Sequence, residues 1–343
     1  MKKFISLTLV AVMVLSMSLF MASCGGDDKE AGGDAEKTLR VRCVVSTQLG
    51  DQSFNDSAKK GIDQLKEEGY DATLLECNND PKKWEQNLIT AAEDADMVIA
   101  VGSELDMVGE VSKDFPKVKF IWCDNKLDNP EKYPNVMSVT YKQNEGSYLV
   151  GWIAGKMTKS NVVGFIGGMD IPVINDFRVG YAQGAKDAND KVKVVKNYTG
   201  NWGDTNAGAE SAQVLAQQGA DIIFCAAGGS GTGAIGKAEE LGIKCIGVDA
   251  DQRQSLKEYA DFILCSMVKE VGKSIVDTVK AYEKDEKSFK GGDSIALGMD
   301  GGYIGVAYGA DDQKVLVSDD IKAELDGLIE KIANGDIKVE TKM

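Results

Sequence analysis

Short apolar runs alternate with longer amphipathic stretches along the chain from about residue 39. The stretch after the first run carries Phe54, Ala58, Ile62 and Leu65, and this spacing is that of one face of a helix. Alternating strands and helices predict parallel sheets built from βαβ units, and therefore an α/β fold. The runs predicted to be strands are Val41–Ser46, Ala72–Cys77, Met97–Val101, Val118–Cys123, Val136–Val139, Val162–Ile166, Val192–Val195, Ile222–Ala226, Ile243–Val248, Phe262–Ser266 and Ile295–Leu297.

The alternation starts again near residue 143, which predicts two similar lobes. Ligands of open α/β sheets bind beyond the carboxyl ends of the strands. A cleft between two lobes would therefore be lined by the strand ends of both sheets. We expect the functional side chains at these strand ends.

The stretch Val163–Phe177 reads as a buried strand, a glycine turn and the start of a helix. Its two adjacent glycines, at 167 and 168, allow a sharp turn. Asp170 can cap the following helix, and Pro172 suits its first turn. The backbone geometry explains this pattern, and we expect no ring or exposed charge here that would select a ligand. A helix from Val268 to Glu283 and another from Ile321 to Ile332 are predicted near the C-terminus.

Composition narrows the possible functions. The 343 residues carry a formal charge of -15, which argues against nucleic acid or an anionic membrane surface as the main partner. The chain contains no histidine, which excludes a Ser-His-Asp triad and a histidine-bound zinc. We expect neither a cofactor nor a metal. Enzymes that work with carboxylates alone stay possible.

The N-terminus has the pattern of an export signal. Two lysines precede an apolar run, and the small residues Met21-Ala22-Ser23 lead directly to Cys24. This predicts a signal peptide at 1–23, cleavage before Cys24 and a lipid on its sulfur, with 24–38 as a flexible tether. An ordinary secretory signal or an uncleaved anchor helix is the alternative. No later segment approaches the length of a membrane span, so we expect an exported protein held to the membrane by its end.

Six further cysteines, mostly within apolar runs, show no spacing typical of a metal site. We interpret them as buried strand residues that behave as small hydrophobic side chains. Their positions are Cys43, Cys77, Cys123, Cys225, Cys245 and Cys265.

Polar and aromatic side chains gather where the predicted strands end. Phe54 and Trp202, one in each half, could stack on a flat ring, while Asp124, Asp249 and Lys269 could bind the hydroxyls of a sugar. The simpler interpretations are that Phe54 faces the core from its own helix and that each Asp only caps a turn. The candidate ligand residues are Ser46, Thr47, Phe54, Asn55, Asp124, Trp202, Gly228, Asp249 and Lys269, with Asp204 at the same edge.

The glycine-rich run Gly228–Gly233 looks like a phosphate-binding loop, but it lacks the Lys-Ser/Thr ending of a P-loop. We interpret it as a tight turn that lets the backbone approach a ligand, followed by a helix from Ala234 to Leu241.

Five short motifs occur along the chain in an order that is typical of one protein family. They are Asp51–Asp56, Asn144–Leu149, Val163–Ile174, Ala226–Gly231 and Ile246–Gln252. Together they resemble the basic membrane protein (BMP) family of substrate-binding lipoproteins for ABC importers, whose purine-nucleoside receptors are the most similar. The resemblance runs from about residue 40 to the C-terminus.

The resemblance implies a type I periplasmic-binding-protein fold, with two doubly wound parallel-sheet lobes joined by three crossovers. The lobes would comprise 39–142 plus about 268–300, and 143–267 plus about 301–343. It also implies a purine nucleoside between Phe54 and Trp202, ribose contacts at Asp124, Asp249 and Lys269, and Gly228 against the ligand. The expected partners are an ABC permease with its ATPase, and we expect a monomer.

Two positions depart from the family pattern. Family members commonly carry an Asp at the end of the first strand, where this chain has Ser46, and a Phe where it has Trp202. Riboflavin is therefore an alternative ligand, because a flavin-binding branch exists in the family. A carboxylate-based nucleoside hydrolase and a ligand sensor that signals instead of delivering are alternatives from other classes.

Overall fold

The computed structural model describes residues 38–343. The predicted signal peptide, the predicted lipidation site at Cys24 and the predicted tether up to residue 37 lie outside the described residues. None of the helices within 38–343 has both the length and the apolar character needed to cross a membrane.

Residues 38–343 form twelve strands and ten α-helices in an alternating order, which confirms the predicted α/β class. The strands are β1 Arg40–Val45, β2 Asp71–Glu76, β3 Met97–Val101, β4 Lys119–Cys123, β5 Val136–Tyr141, β6 Val162–Gly167, β7 Lys193–Tyr198, β8 Ile222–Ala226, β9 Lys244–Asp249, β10 Ile263–Lys269, β11 Asp293–Leu297 and β12 Ile304–Ala307. The helices are α1 Phe54–Glu67, α2 Pro81–Glu93, α3 Val108–Asp114, α4 Gln143–Met157, α5 Pro172–Ala188, α6 Thr205–Gln217, α7 Gly228–Leu241, α8 Gln252–Ser255, α9 Val271–Lys284 and α10 Asp319–Ala333.

The strands form two six-stranded sheets of closely similar design. The first has the order β11-β5-β4-β3-β1-β2, and all of its strand pairs are parallel. The second has the order β12-β10-β9-β8-β6-β7, and only the pair of β10 and the edge strand β12 is antiparallel. The chain passes from one sheet to the other three times, after β5, after β10 and after β11. The predicted fold class is therefore confirmed, crossovers included.

Both faces of each sheet are covered by helices. Along β3, Met97, Ile99 and Val101 contribute to one hydrophobic cluster, whereas Val98 and Ala100 contribute to another on the opposite face. All five side chains are fully buried. Successive side chains of a strand point to opposite faces, so a continuous apolar run is what a doubly covered parallel strand requires.

The crossover after β10 carries α9 back to the first sheet. Helix α9 packs against α1 so closely that a Cβ added at Gly61 would lie 2.5 Å from the carbonyl oxygen of Gly272. Only glycine permits this contact between the two backbones. Helix α10 instead packs against α4, beside the second sheet.

Several predicted boundaries were wrong. Strand β10 continues to Lys269 because it pairs with β12, which the sequence pattern did not reveal, and α9 begins only at Val271. Helix α5 has Pro172 in its first turn as predicted, but its N-cap is Ile171, and the Asp170 carboxylate accepts a hydrogen bond from Asn175 instead. Helix α7 begins at Gly228, not at Ala234.

The six cysteines of the described region are buried, as predicted, and all six are free. Burial raises the pKa of Cys77 to about 11 and the pKa of Cys123 to about 12, so both thiols stay protonated at neutral pH. These side chains therefore belong to the packing of the sheets and not to a reactive site.

Candidate functional site

A cavity of about 520 Å³ lies where the carboxyl ends of the two sheets face each other. Its size falls in the range of small-molecule sites, roughly 300–1,000 Å³. It is lined by the segments after β1, β2, β3 and β4 on one side, and on the other by the segments after β6, β7 and β8 together with the last residues of β9 and β10. This is the position that the strand-end argument predicts.

All nine candidate ligand residues line this one cavity. They are Ser46, Thr47, Phe54, Asn55, Asp124, Trp202, Gly228, Asp249 and Lys269. The tenth strand-end residue, Asp204, also lines it, but its carboxylate caps α6 by accepting hydrogen bonds from the backbone N–H groups of Asn206 and Ala207. Its interpretation as a cap is therefore sufficient.

One group in the cavity, which we call the lysine cluster, comprises Lys269, Asp124 and Asp249. The Lys269 Nζ donates to Asp124 Oδ1 at 2.8 Å and lies 3.9 Å from Asp249 Oδ1. Lys269 is 1% exposed, and a buried ammonium group is tolerated only when it is paired. Burial raises the pKa of Asp124 to about 6, and burial likewise raises the pKa of Asp249, while Lys269 opposes both changes.

Three aromatic rings surround the ammonium group of the lysine cluster. The Lys269 Nζ lies 4.7 Å from the ring centre of Phe54, 5.0 Å from that of Phe177 and 5.4 Å from that of Tyr141. The rings attract the cation through their negative faces and exclude water from it. Phe177, the last residue of the stretch Val163–Phe177, also lines the cavity from α5, and that this stretch has no ring suited to selecting a ligand stays a prediction.

Both aspartates of the lysine cluster adopt an unusual backbone conformation. Asp124 has φ 77° and Asp249 has φ 63°, in the left-handed region that Asp tolerates better than most residues. Asp249 Oδ2 accepts a hydrogen bond from Ser53 Oγ at 2.6 Å, but Oδ1 is buried and has no hydrogen-bond partner within the described residues. A buried acceptor without a partner points to a donor on a bound molecule.

The loop before α1 is held by Asp51. Its carboxylate accepts hydrogen bonds from the backbone N–H groups of Ser53, Asn55 and Asp56 and from the Asn55 side chain. Asn55 Nδ2 also donates to Thr47 Oγ1 at 2.6 Å, which leaves its buried Oδ1 without a partner within the described residues. The amide nitrogen thus serves the loop, and the amide oxygen is left for a ligand.

Phe54 and Trp202 reach the cavity from opposite sheets. Phe54 is the first residue of α1, and its ring packs on the core of the first sheet while it also lines the cavity. The Trp202 ring lies over Gly168, where an added Cβ would come within 2.3 Å of an indole carbon. The ring of Phe54 therefore packs on the core, as its simpler interpretation has it, and also lines the cavity. The glycine turn likewise has a role in backbone geometry and also leaves room for the Trp202 ring.

Glu104 is a cavity residue that the sequence analysis missed. Its Oε2 accepts a hydrogen bond from Ser46 Oγ at 2.8 Å, and its Oε1 accepts one from the Trp202 indole Nε1 at 2.7 Å. Ser46, Glu104 and Trp202 form what we call the glutamate cluster. Glu104 follows β3 by three residues, within the region where the strand-end rule expects function, but no local pattern singles it out from its neighbours.

The glycines of the run Gly228–Gly233 serve helix packing. This run is the first turn of α7, and an added Cβ at Gly233 would lie 1.9 Å from the carbonyl oxygen of Thr205 on α6. Gly228 has φ 54° and lines the cavity, so its backbone comes close to any bound molecule. At Gly233 the glycine that resembles a phosphate-binding loop is therefore explained by the packing of α7 against α6.

The chain matches a known family over almost all of the described region. Residues 38–342 match the model of the Bmp family, described as PnrA-like ABC transporter substrate-binding proteins. The chain is 33% identical to the CD4+ T-cell-stimulating antigen of Listeria innocua, with 96% of this chain and 97% of that protein covered. It is 31% identical to the ABC transporter nucleoside-binding protein BmpA of Lactococcus lactis, with 97% and 98% covered.

Solved structures agree with this assignment. The solute-binding protein of an ABC transporter system from Aeropyrum pernix K1 superposes with a TM-score of 0.77 at 25% identity, covering 88% of this chain and 93% of that chain. The similarity in fold to this solute-binding protein and the sequence similarity over the described region therefore lead to the same family. The chain therefore belongs to the Bmp family of PnrA-like ABC transporter substrate-binding proteins.

Proposed function

We propose that this chain is a lipid-anchored receptor that binds a purine nucleoside in the cavity and delivers it to an ABC importer. ABC transporter substrate-binding proteins bind small molecules and work with a permease and its ATPase, and one relative is named as nucleoside-binding. The observation that carries the proposal is the unpartnered Asp249 Oδ1, which lies beside the Lys269 ammonium group in a cavity also lined by the rings of Phe54, Phe177 and Trp202.

The lysine cluster suits the ribose of a nucleoside. A sugar hydroxyl both donates and accepts, so one hydroxyl can donate to Asp249 Oδ1 while it accepts from Lys269 Nζ. Asp124 holds the ammonium group in place at 2.8 Å. Hydrogen bonds to charged groups contribute about 1.5–3 kcal/mol each, more than those between neutral groups.

The rings of Phe54 and Trp202 suit the base. Stacking on an aromatic side chain contributes about 1–3 kcal/mol per base. Micromolar affinity corresponds to about -8 kcal/mol, so stacking supplies only part of it and the ribose contacts must supply much of the rest. Both kinds of contact are needed for a useful receptor.

We propose that the two sheets with their helices are lobes that close over the ligand. Hydrogen bonds from four donor side chains join the first-sheet side of the cavity to the second-sheet side. Ser53 donates to Asp249 and to the carbonyl oxygen of Val248, Trp202 donates to Glu104, Gln252 to the carbonyl oxygen of Gln52, and Lys269 to Asp124. A ligand that touches both sides would favour the closed arrangement through the same loops.

We propose that Cys24 carries the lipid anchor and that the protein acts as a monomer. The support is the small-residue motif before Cys24 and the polar, glycine-rich sequence after it. Metabolic labelling with a palmitate analogue should label the protein and leave a Cys24→Ser variant unlabelled. Equal labelling of both, or of neither, would contradict the lipid on Cys24 without affecting the ligand proposal.

The experiment that tests the ligand is its release from the purified protein. The protein is denatured, the supernatant is analysed by mass spectrometry, and candidates are titrated into refolded protein by calorimetry. A purine nucleoside that co-purifies and binds with micromolar or tighter affinity supports the proposal. Release of riboflavin, recognised by its visible absorption, would replace the nucleoside with the flavin alternative.

The same sample distinguishes binding from hydrolysis. We expect incubation with guanosine or inosine to yield no free base by liquid chromatography. Release of base at a rate proportional to protein concentration would favour the carboxylate-based nucleoside hydrolase.

A further inference from the structure

The carboxylate of Glu104 is held between the two lobes by uncharged donors. Ser46 Oγ comes from the end of β1 in the first sheet, and the Trp202 indole comes from the loop after β7 in the second. These two contacts place one donor on each carboxylate oxygen. Glu104 lines the cavity and is partly exposed to it.

The backbone around Glu104 is fixed by further hydrogen bonds. The Trp122 indole donates to the carbonyl oxygen of Gly102 at 2.9 Å, and the Trp84 indole donates to that of Ser46 at 3.0 Å. Gly102 has φ 119°, and an added Cβ there would lie 2.2 Å from Ser46 Oγ. Of the four tryptophans in the chain, three therefore position the glutamate cluster. A carboxylate held this firmly is pre-organised for recognition.

The hydrogen bonds of the glutamate cluster leave acceptor capacity unused. A carboxylate has about four lone-pair sites, two on each oxygen. The Ser46 hydroxyl and the Trp202 indole occupy one site on each oxygen. One further acceptor site remains on each, and a pair of parallel N–H donors matches such a carboxylate best.

A ring stacked on Trp202 would bring one edge beside Glu104, because the indole N–H that meets Glu104 lies in the plane of the Trp202 ring. Guanine carries a ring N–H and an adjacent amino group on one edge. Hypoxanthine has the ring N–H alone, and adenine has an acceptor nitrogen beside its amino group. The ring N–H of an isoalloxazine lies between two carbonyl groups, which a carboxylate repels.

We propose that Glu104 is the specificity-determining residue of the cavity and that the preferred ligand is guanosine or a nucleoside with the same pair of adjacent donors. This inference rests on the proposed function, because it assumes that the cavity binds a nucleoside. It also gives the Trp at position 202 a second role, since a Phe there would stack but leave Glu104 without its second donor.

The first test compares ligands on the unchanged protein. Refolded, ligand-free protein is titrated by calorimetry with guanosine, inosine, adenosine and riboflavin. Each lost hydrogen bond to a charged group should weaken binding by about 10- to 100-fold. We expect guanosine to bind at least about 10-fold more tightly than inosine, and inosine more tightly than adenosine.

The second test changes the carboxylate with little change in shape. Glu104→Gln keeps one acceptor oxygen but turns an amide N–H₂ toward the ligand edge. We expect guanosine affinity to fall by about 10- to 100-fold and adenosine affinity to change by less than about three-fold. Asp106→Asn, two residues away on the exposed side of the same loop, is the matched control and should change neither affinity. Thermal unfolding of both variants checks that the fold is kept.

The outcomes separate this inference from the proposed function. Equal affinity of the unchanged protein for guanosine and adenosine overturns the role of Glu104 while the nucleoside receptor stands. An equal loss for both nucleosides in Glu104→Gln also overturns it, because Glu104 would then only position Trp202. If the unchanged protein binds no nucleoside, the proposed function fails and this inference fails with it.

Discussion

The lysine cluster and the glutamate cluster each hold carboxylates in the cavity by contacts from both sheets, but they compensate the negative charge differently. In the lysine cluster a buried cation lies between two aspartates, so charge is compensated by charge. In the glutamate cluster an uncharged hydroxyl and an uncharged indole hold Glu104, so its negative charge is available to a ligand.

This difference assigns different ligand parts to the two clusters. Charge compensation makes the lysine cluster costly to disturb, because removing one partner leaves buried charge unpaired. It offers both a donor and an acceptor, which suits hydroxyl groups of any sugar. The glutamate cluster offers acceptors alone, which under our proposal makes it sensitive to the edge of the bound ring. On that proposal the lysine cluster supplies general affinity and the glutamate cluster supplies selectivity, and the predictions below test that separation.

The largest effect should follow from Lys269→Met. The substitution keeps the length of the side chain but leaves the Asp124 and Asp249 carboxylates without their cation. Breaking a buried ion pair typically lowers the free energy of unfolding by about 3–5 kcal/mol, which urea denaturation at pH 7 would measure. The difference in free energy of unfolding between the variant and the unchanged protein should be smaller at lower pH, because the unpaired aspartates then take up protons.

The matched control for this change is Lys273→Met. Lys273 pairs with Asp277 on the exposed face of α9, and such pairs contribute at most about 1 kcal/mol. A similar loss of unfolding free energy in both variants would mean that the ion pairs of Lys269 contribute no more to stability than an exposed pair does.

A smaller effect should follow from pH alone. Burial raises the pKa of Asp124 in the folded protein to about 6, above its value of about 3.9 in an unfolded chain. The folded state therefore binds this proton more tightly. The contribution of the group to the free energy of unfolding is fully present below about pH 4 and is lost as the pH rises through 6. Two pKa units correspond to at most about 3 kcal/mol.

The measurement is urea denaturation between pH 4 and pH 8, with Asp124→Asn as the comparison. The free energy of unfolding of the variant should depend less on pH across this interval, since its amide does not titrate. Identical pH profiles for the two proteins would show that Asp124 does not titrate in this range.

Removing the ring of Trp202 should reduce binding more than stability. Trp202→Ala removes the stacking face and the donor to Glu104, and the loss of about 1–3 kcal/mol corresponds to about 5- to 150-fold weaker nucleoside binding by calorimetry. Trp152 forms a similar pair, its indole donating to Glu324 at 2.9 Å, but outside the cavity. Trp152→Ala should leave affinity unchanged, and an equal loss in both variants would contradict the stacking assignment.

The sequence predicted the lysine cluster but not the glutamate cluster, and the reason is physical. Asp124 directly follows β4 and Asp249 is the last residue of β9, so the rule for strand ends suffices. Glu104 lies in a short non-helical loop that Trp122 holds at Gly102, while Trp84 holds Ser46, and both tryptophans are distant in sequence. Its role becomes visible only when the loops of both sheets meet.

Tertiary contacts also explain the errors in the fold. Glycine disfavours helices, yet α7 begins at Gly228 because Gly233 must lie against α6. Strand β10 extends to Lys269 because Ile304 pairs with that residue from β12, an edge strand of four residues. The local sequence pattern does not show which distant segments a strand will pair with or a helix will pack against.

The smallest expected effect separates the two clusters most sharply. Ser46→Ala removes the hydroxyl that donates to Glu104 at 2.8 Å but leaves the carboxylate and the Trp202 indole in place. Losing one orienting hydrogen bond of about 0.5–1.5 kcal/mol should weaken guanosine binding by about 3- to 10-fold. Adenine presents an acceptor nitrogen beside its amino group and so cannot form the paired contact with Glu104, and the affinity of adenosine should change by less than about three-fold in calorimetric titrations. If adenosine affinity fell equally, the Ser46 hydroxyl would contact the ligand itself, and the three residues would not act as one unit.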